Sequence, residues 1–236
     1  MERLLAWVWA GCLIGAISAL GVPARAQAQH LEPEFRDEGW VLELSAGMAL
    51  SLNKGAYFER LQQFGFEEHL DMLDLLRVSV SAGRRLHPHL LVGGSYFNLG
   101  ASEYRRFVEF AQHFAWVAHG FGVFAQADHS FGRRRLLNIF GRLGAGLSAA
   151  ATRFDAVIAS PQQTDPQPVR THVVEQSYLR ACGWIGAGVQ LMPSRFVGVQ
   201  FEVRYVVAPG IDNEIGETQQ LGGLTAMGGL RLRTWE

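Results

Sequence analysis

Beyond residue 22 the 236-residue chain has no long apolar run, so no membrane helix is expected after its N-terminal stretch. Cysteine is nearly missing too. Of the two, Cys12 falls in the N-terminal stretch and Cys182 in a strand, so the mature chain holds no disulfide and Cys182 reads as a small packing residue. The zinc spacing of Cys and His is absent, and no metal or other cofactor is expected. Charge of one sign is also wanting, since 21 Lys and Arg face 22 Asp and Glu for a net of -1. That balance excludes a basic nucleic-acid surface and an acidic tail. Charged residues make up only 18%, whereas glycine reaches 27. Low charge with many glycines suits a surface that faces lipid.

Residues 1–28 read as an export signal, with Arg3 in the head, an apolar core from Leu4 to Val22, and two A-x-A sites, Ala24-Arg-Ala26 and Ala26-Gln-Ala28. The core is long enough to persist as a membrane helix, and the two small-residue sites favour its removal. Trp9-Ala-Gly-Cys12 is a poor lipoprotein box, because apolar sequence continues past Cys12. Residues 29–38 form a polar, acidic periplasmic lead-in. One all-β or barrel domain is expected over 39–236; roughly 210 residues allow one such domain and no second large one.

From Gly39 a period of two recurs. Trp40, Leu42, Leu44, Ala46, Met48 and Leu50 alternate with Val41, Glu43, Ser45 and Gly47; Leu76, Val78, Val80 and Ala82 alternate with Arg77, Ser79 and Ser81. Further strands are expected at about 90–99, 114–127, 137–151, 173–191 and 197–207, and a last at 220–236, where Leu224, Ala226, Leu230 and Leu232 oppose Thr225, Met227, Arg231 and Arg233. Strand phase is open in two places. In the fourth strand, both Val117, His119, Phe121, Val123 and Trp116, Ala118, Gly120, Phe124 fit an outward face. In the third, a Gly-Gly pair blurs the pattern, and Val92, Gly94 and Tyr96 are placed outside.

Eight strands with connections alternating long and short put every long loop at one end and every turn at the other. The expected fold is all-β, an eight-stranded antiparallel transmembrane β-barrel of up-and-down topology. A soluble barrel of the same size would enclose its apolar residues. Here one face is nearly free of charge, while the inward set would be the one that carries Glu43, Arg77, Arg142, Arg180, Glu202, Arg204, Arg231 and Arg233, and several arginines cannot sit unpaired in a dry soluble core. The apolar set is therefore assigned to lipid and these eight residues to a lumen charge network, since buried charges need partners.

The leader, the eight alternating strands, the phrases HPHLLVGGSYF (His87 to Phe97) and MPSRFVGVQFEVRY (Met192 to Tyr205), and the aromatic-ended last strand resemble the small outer-membrane β-barrel proteins of Gram-negative bacteria, similar to the OmpA transmembrane barrel. The resemblance implies an outer-membrane monomer, contact with outer-membrane lipid and lipopolysaccharide, and passage through periplasmic chaperones to the barrel-insertion machinery. That machinery would read Leu230, Leu232 and Trp235 as a C-terminal insertion signal, from which Glu236 departs by following the aromatic.

A barrel of eight strands is just wide enough for its own side chains, so the expected role is structural or surface-interactive, with a plugged polar lumen and long extracellular loops offering a site for an extracellular ligand. A narrow pore for ions or small solutes is the alternative. A lipid-modifying outer-membrane enzyme ranks third: acyl transfer at the rim would need a His, a Ser and a carboxylate together. None of His30, His69, His87, His89, His113, His119, His129 and His172 begins a His-x-Ser pattern, and no catalytic residue is assigned. Gly120-x-Gly122-x-x-Ala125 and Gly144-x-Gly146-x-x-Ala149 mimic a dinucleotide fingerprint without the helix it requires, and strand glycines that relieve crowding explain them. The stretch Asn53 to Asp74, with Tyr57, Phe58, Phe64 and Phe66, is expected to be a solvated loop with a small hydrophobic cluster or to fold against the barrel top.

Overall fold

In the computed structural model the described residues are 39–52, 55–69, 72–107, 110–131, 136–158, 169–194, 196–211 and 219–234. The expected signal and lead-in, and Trp235 with Glu236, lie outside them. In chain order come β1 (Trp40–Leu52), α1 (Ala56–Gln63), β2 (Glu67–His69), α2 (Met72–Leu75), β3 (Leu76–His87), β4 (Leu90–Phe107), β5 (Phe110–Phe131), β6 (Leu137–Ile158), β7 (Val169–Leu191), β8 (Val197–Ile211) and β9 (Gln219–Arg233).

Each long strand pairs antiparallel with its sequence neighbour. β1 pairs β3 on one side and β9 on the other, with Val41 opposite Arg233 and Leu44 opposite Leu230. Pairing of β4 with β5, Leu90 opposite Ala127 through Phe107 opposite Ala111, completes the circuit β1-β3-β4-β5-β6-β7-β8-β9. The ring holds eight strands. The three-residue β2 lies outside it, on the free edge of β4 at Glu103 to Arg105.

Closure forces alternate side chains to opposite faces of one continuous wall. Val123, Leu143 and Ile185 are 69%, 66% and 61% exposed, while Glu202 and Arg231 are fully buried. Large apolar groups outside and ionised groups inside invert a soluble protein. The open phases are resolved: Val117, His119, Phe121 and Val123 face out, Trp116, Ala118, Gly120 and Phe124 face in, and Ser95 and Phe97 put Val92, Gly94 and Tyr96 outside.

The strands are longer than their apolar stretches. The stretch between the strands expected at about 90–99 and 114–127 is mostly the upper part of β4 and β5, and the stretch between those expected at about 137–151 and 173–191 gives up residues to β6 and β7. Beyond the apolar belt the outward positions carry Glu103, Arg105, Arg153 and Glu175, so alternation persists with charge in place of grease. As a result β5, β6 and β7 run 22, 22 and 23 residues, against 12 to 15 in β1, β3, β8 and β9. Their upper parts project as a sheet past the short strands.

Candidate functional site: the lumen, its helical cap and the projecting sheet

At the turn end, the lumenal phase gathers charge from six strands. Arg142 on β6 is the hub. Its Nη2 donates to Glu43 of β1 and to Gln126 of β5, its Nε donates to Gln126 Oε1 at 3.0 Å, and its Nη1 lies 3.4 Å from Glu202 Oε2 on β8. Arg204 takes the same Glu202 by two nitrogens, at 2.8 and 3.0 Å, and donates from Nη1 to Ser79 Oγ at 3.2 Å. Arg231 stands 3.0 Å from Glu43 Oε1. Each carboxylate is thereby shared between two guanidiniums, which offsets the desolvation of burial. Arg142 also lies 4.5 Å over Phe124, a cation–π contact from the lumen floor.

Two members of this cluster are absent from the sequence reading. Asp128 lies just past the strand expected at about 114–127, but β5 continues to Phe131 and keeps Asp128 in phase with Gln126, whose Nε2 donates to it at 2.6 Å. Arg85, in phase with Arg77, Ser79 and Ser81, pairs with Asp128 and also donates to Pro88 O at 2.7 Å, tying the β3–β4 turn to the lumen. Carrying each lumenal alternation four residues further, from Ser81 to Arg85 and from Phe124 to Asp128, would have found both.

The other assigned residues lie elsewhere. Arg77 is buried higher on the lumenal face, its Nη1 donating to the carbonyls of Asp74 and Leu76 at 2.7 and 3.0 Å. Arg180 has lumenal phase but is exposed, 5.9 Å from the Tyr178 ring, above the last β7–β8 pair at Gly183 and Val207. Arg233 is half-buried opposite Val41, and Leu230 and Leu232 lie on the outward face of β9.

Toward the long loops the lumenal face turns aromatic, which differs from the polar lining expected. Phe97, Tyr104, Phe114, Trp116 and Trp184 point inward and are buried. The glycines of the apparent fingerprints make room for them. A Cβ on Gly144 would sit 2.1 Å from the Trp184 indole, and one on Gly120 would sit 2.4 Å from the Phe97 ring.

Helix α1 covers this storey. Tyr57, Phe58 and Leu61 fall on one face and are buried against it, with Phe58 5.7 Å from Trp116 and Tyr57 5.8 Å from Phe114. Eight residues are too few for a helix to persist alone, so docking must stabilise it. Its end is sharply set. Gly65 has φ +83, and the amides of Gly65 and Phe66 return to Gln62 O and Leu61 O at 2.9 and 3.0 Å. This is a Schellman closure, with Phe66 and Leu61 both in the core. Burial, then the nearby Tyr178, pushes the Tyr57 phenol well up, so it stays neutral.

On the outer face of the projecting sheet, above the apolar belt, charges alternate across four strands. Arg105 lies 3.0 Å from Glu103, His113 lies 3.2 Å from Glu103 and 3.7 Å from Asp155, and Arg153 lies 2.9 Å from Asp155 and 3.3 Å from Glu175. Desolvation acts to raise the Glu103 carboxyl, but hydrogen bonds from Arg105 and His113 outweigh it and hold it below its ordinary value. Lower on the same face, inside the belt, Tyr96 Oη and His119 Nδ1 are 2.9 Å apart.

The sheet's two lateral edges differ. β2 covers β4 at Glu103 to Arg105. Pairing of β7 with β8 runs only from Gly183 to Leu191, and on the side of β7 away from β6 no described strand pairs with Val169 to Cys182.

A closed antiparallel ring satisfies every strand edge at the level of the belt, and it places lipid-compatible side chains outside and charges inside. Those features define an outer-membrane β-barrel protein. No family model matches the sequence, and no curated protein matches it. Among solved structures the chain is similar to Ail, the attachment invasion locus protein of Yersinia pestis. The likeness is 12% identity and TM-score 0.44 in the complex with the heparin analogue sucrose octasulfate, and 15% and 0.42 in a second structure of Ail; it covers 84% of this chain and 99% and 98% of those. Neisserial surface protein A is similar at 12% identity and TM-score 0.39, over 83% of this chain and 97% of that one. These likenesses are distant, and the chain's own strand pairing establishes the barrel.

Proposed function

We propose that this protein resides in the outer membrane of a Gram-negative bacterium as a monomer with a closed lumen, and presents the sheet of β4 to β7 to an extracellular partner. Residues 1–28 serve as the export signal, and Leu230, Leu232 and Trp235 as the signal for barrel insertion. The role is not enzymatic. The observation carrying the surface role is the edge of β7 away from β6, Val169 to Cys182, with which no described strand pairs, on a sheet whose opposite edge is covered by β2. The partner such a strand edge fits is an extended polypeptide segment added as a further strand. The exposed Val173 and Leu179 would give such a segment apolar footholds. Closure of the lumen is supported by the shared carboxylates below and the seated α1 above.

The register supplies the test. Thr152 opposes Gln176, so joining them through a two-residue turn removes the upper β6–β7 hairpin and leaves the belt intact. Cells displaying this shortened barrel should lose the adhesion or serum resistance conferred by the full chain while the protein remains heat-modifiable on gels. Undiminished adhesion would refute the edge as the binding element. In planar bilayers the full chain should show no stable channel.

A further inference from the structure

We propose that the upper lumen contains a binding site for one small monovalent anion of halide size, between the guanidiniums of Arg77 and Arg204. Arg77 differs from the other buried arginines of the lumen. It is 3% exposed and its Nη2 has no hydrogen-bond partner, as the nitrogens of Arg231 have none. But whereas Arg231 stands beside Glu43 and Asp128, no carboxylate of a described residue lies within ion-pairing distance of Arg77. Asp74 meets it through the backbone carbonyl alone among hydrogen bonds. A buried guanidinium left this way is costly unless something neutralises it.

The surroundings are arranged for a guest. Arg77 and Arg204 line one void of about 10 Å³, together with Phe97, Leu99, Thr225 and Met227, the size of a single water or ion. Arg204 commits Nε and Nη2 to Glu202 and leaves Nη1 with Ser79 Oγ, two residues along β3 from Arg77. Five buried lumenal arginines, Arg77, Arg85, Arg142, Arg204 and Arg231, meet three buried carboxylates, Glu43, Asp128 and Glu202. Among the described buried residues of the lumen positive charge is therefore in excess, and Arg77, with the carboxylate of the half-buried Asp74 acting on it only through space, is the arginine that has no buried carboxylate in contact.

The backbone beside Arg77 is adapted to hold it there. β4 has an irregularity between Asn98 and Gly100, where Gly100 takes φ +141 and a Cβ would come 2.9 Å from Arg77 Nη2 and 3.0 Å from the Trp116 ring. Only glycine leaves that space at that φ. An anion there would accept charge-assisted hydrogen bonds from both guanidiniums, the strongest class available to it. The inference does not depend on the surface partner proposed above.

Bromide is the probe. Crystals of the full mature chain soaked in sodium bromide should give an anomalous peak in the void lined by Arg77 and Arg204. In detergent, the temperature at which the folded gel band disappears should rise saturably with sodium bromide or chloride relative to sodium gluconate at equal ionic strength. Arg77→Gln should shift the half-saturating bromide concentration at least about tenfold upward, whereas Arg153→Gln should leave it unchanged. No peak in the native crystal, a peak unaltered by Arg77→Gln, or equal stability in bromide and gluconate would overturn the site. The native crystal decides the matter even if Arg77→Gln fails to fold.

Discussion

Phe58 of α1 stacks on Tyr104 of β4 with ring centroids 5.4 Å apart and planes at 21°. The pair joins the cap to the projecting sheet, so truncating either ring should loosen the helix before the barrel. Phe58→Ala is expected to cost on the order of 3 kcal/mol of local stability. Amide exchange in residues 56–69 should accelerate while exchange in the belt does not. Equal acceleration throughout would mean that α1 is integral to the barrel rather than seated on it.

Arg142 neutralises Glu43 and Glu202 together. Arg142→Met should leave both carboxylates buried beside fewer cations, a loss of about 3–5 kcal/mol in urea unfolding from detergent or lipid. Adding Glu43→Gln should return part of that loss, because it removes one stranded charge. Strict additivity of the two losses would show that the groups do not act as a unit.

Glu103 sets a dependence on acid. Its folded carboxyl titrates below the ordinary value, so its contribution is fully present above the unfolded pKa of about 4.3. It is lost as pH falls through the lowered folded value. Carbon-13 titration of the Glu103 carboxyl should show that depressed midpoint, and Arg105→Gln should move it upward. A midpoint at or above the ordinary value would contradict the hydrogen bonds from Arg105 and His113.

Cys182 is 7% exposed within the apolar cluster. A charged maleimide should label the folded mature protein on the order of 100-fold more slowly than the urea-unfolded chain, because labelling needs local opening. Removing residues 56–69 should accelerate it. Rapid labelling of the intact folded protein would place the thiol outside the core.

Strand parity made the wall of the barrel readable. Arg142, Glu202, Arg204, Arg231 and Glu43 could be set on one face from the leucines and valines beside them, since a period of two leaves no third position. Parity gives phase but not height, and for that reason Arg180 was grouped with residues it stands above. The upper halves of β4 to β7 were illegible for a related reason: Glu103, Arg105, Arg153 and Glu175 face water, so no apolar partner marks the alternation. Helix α1 was hidden because its short apolar face gains its partners only from strands distant in sequence. Asp128 and Arg85 were lost at strand ends, where turn residues begin to intermix.

The seam between β1 and β9 carries a kinetic consequence. The Trp40 amide donates to Thr234 Oγ1 at 3.3 Å across 194 residues of chain. No partial product of synthesis can make that contact, and loops this long must close before it rewards them. Until β9 arrives, β1 and β8 each expose an edge that any strand can join. Their unshielded lifetime sets how long a holding chaperone must stay bound, and a slower ninth strand would appear first as aggregation in transit rather than as a weaker barrel.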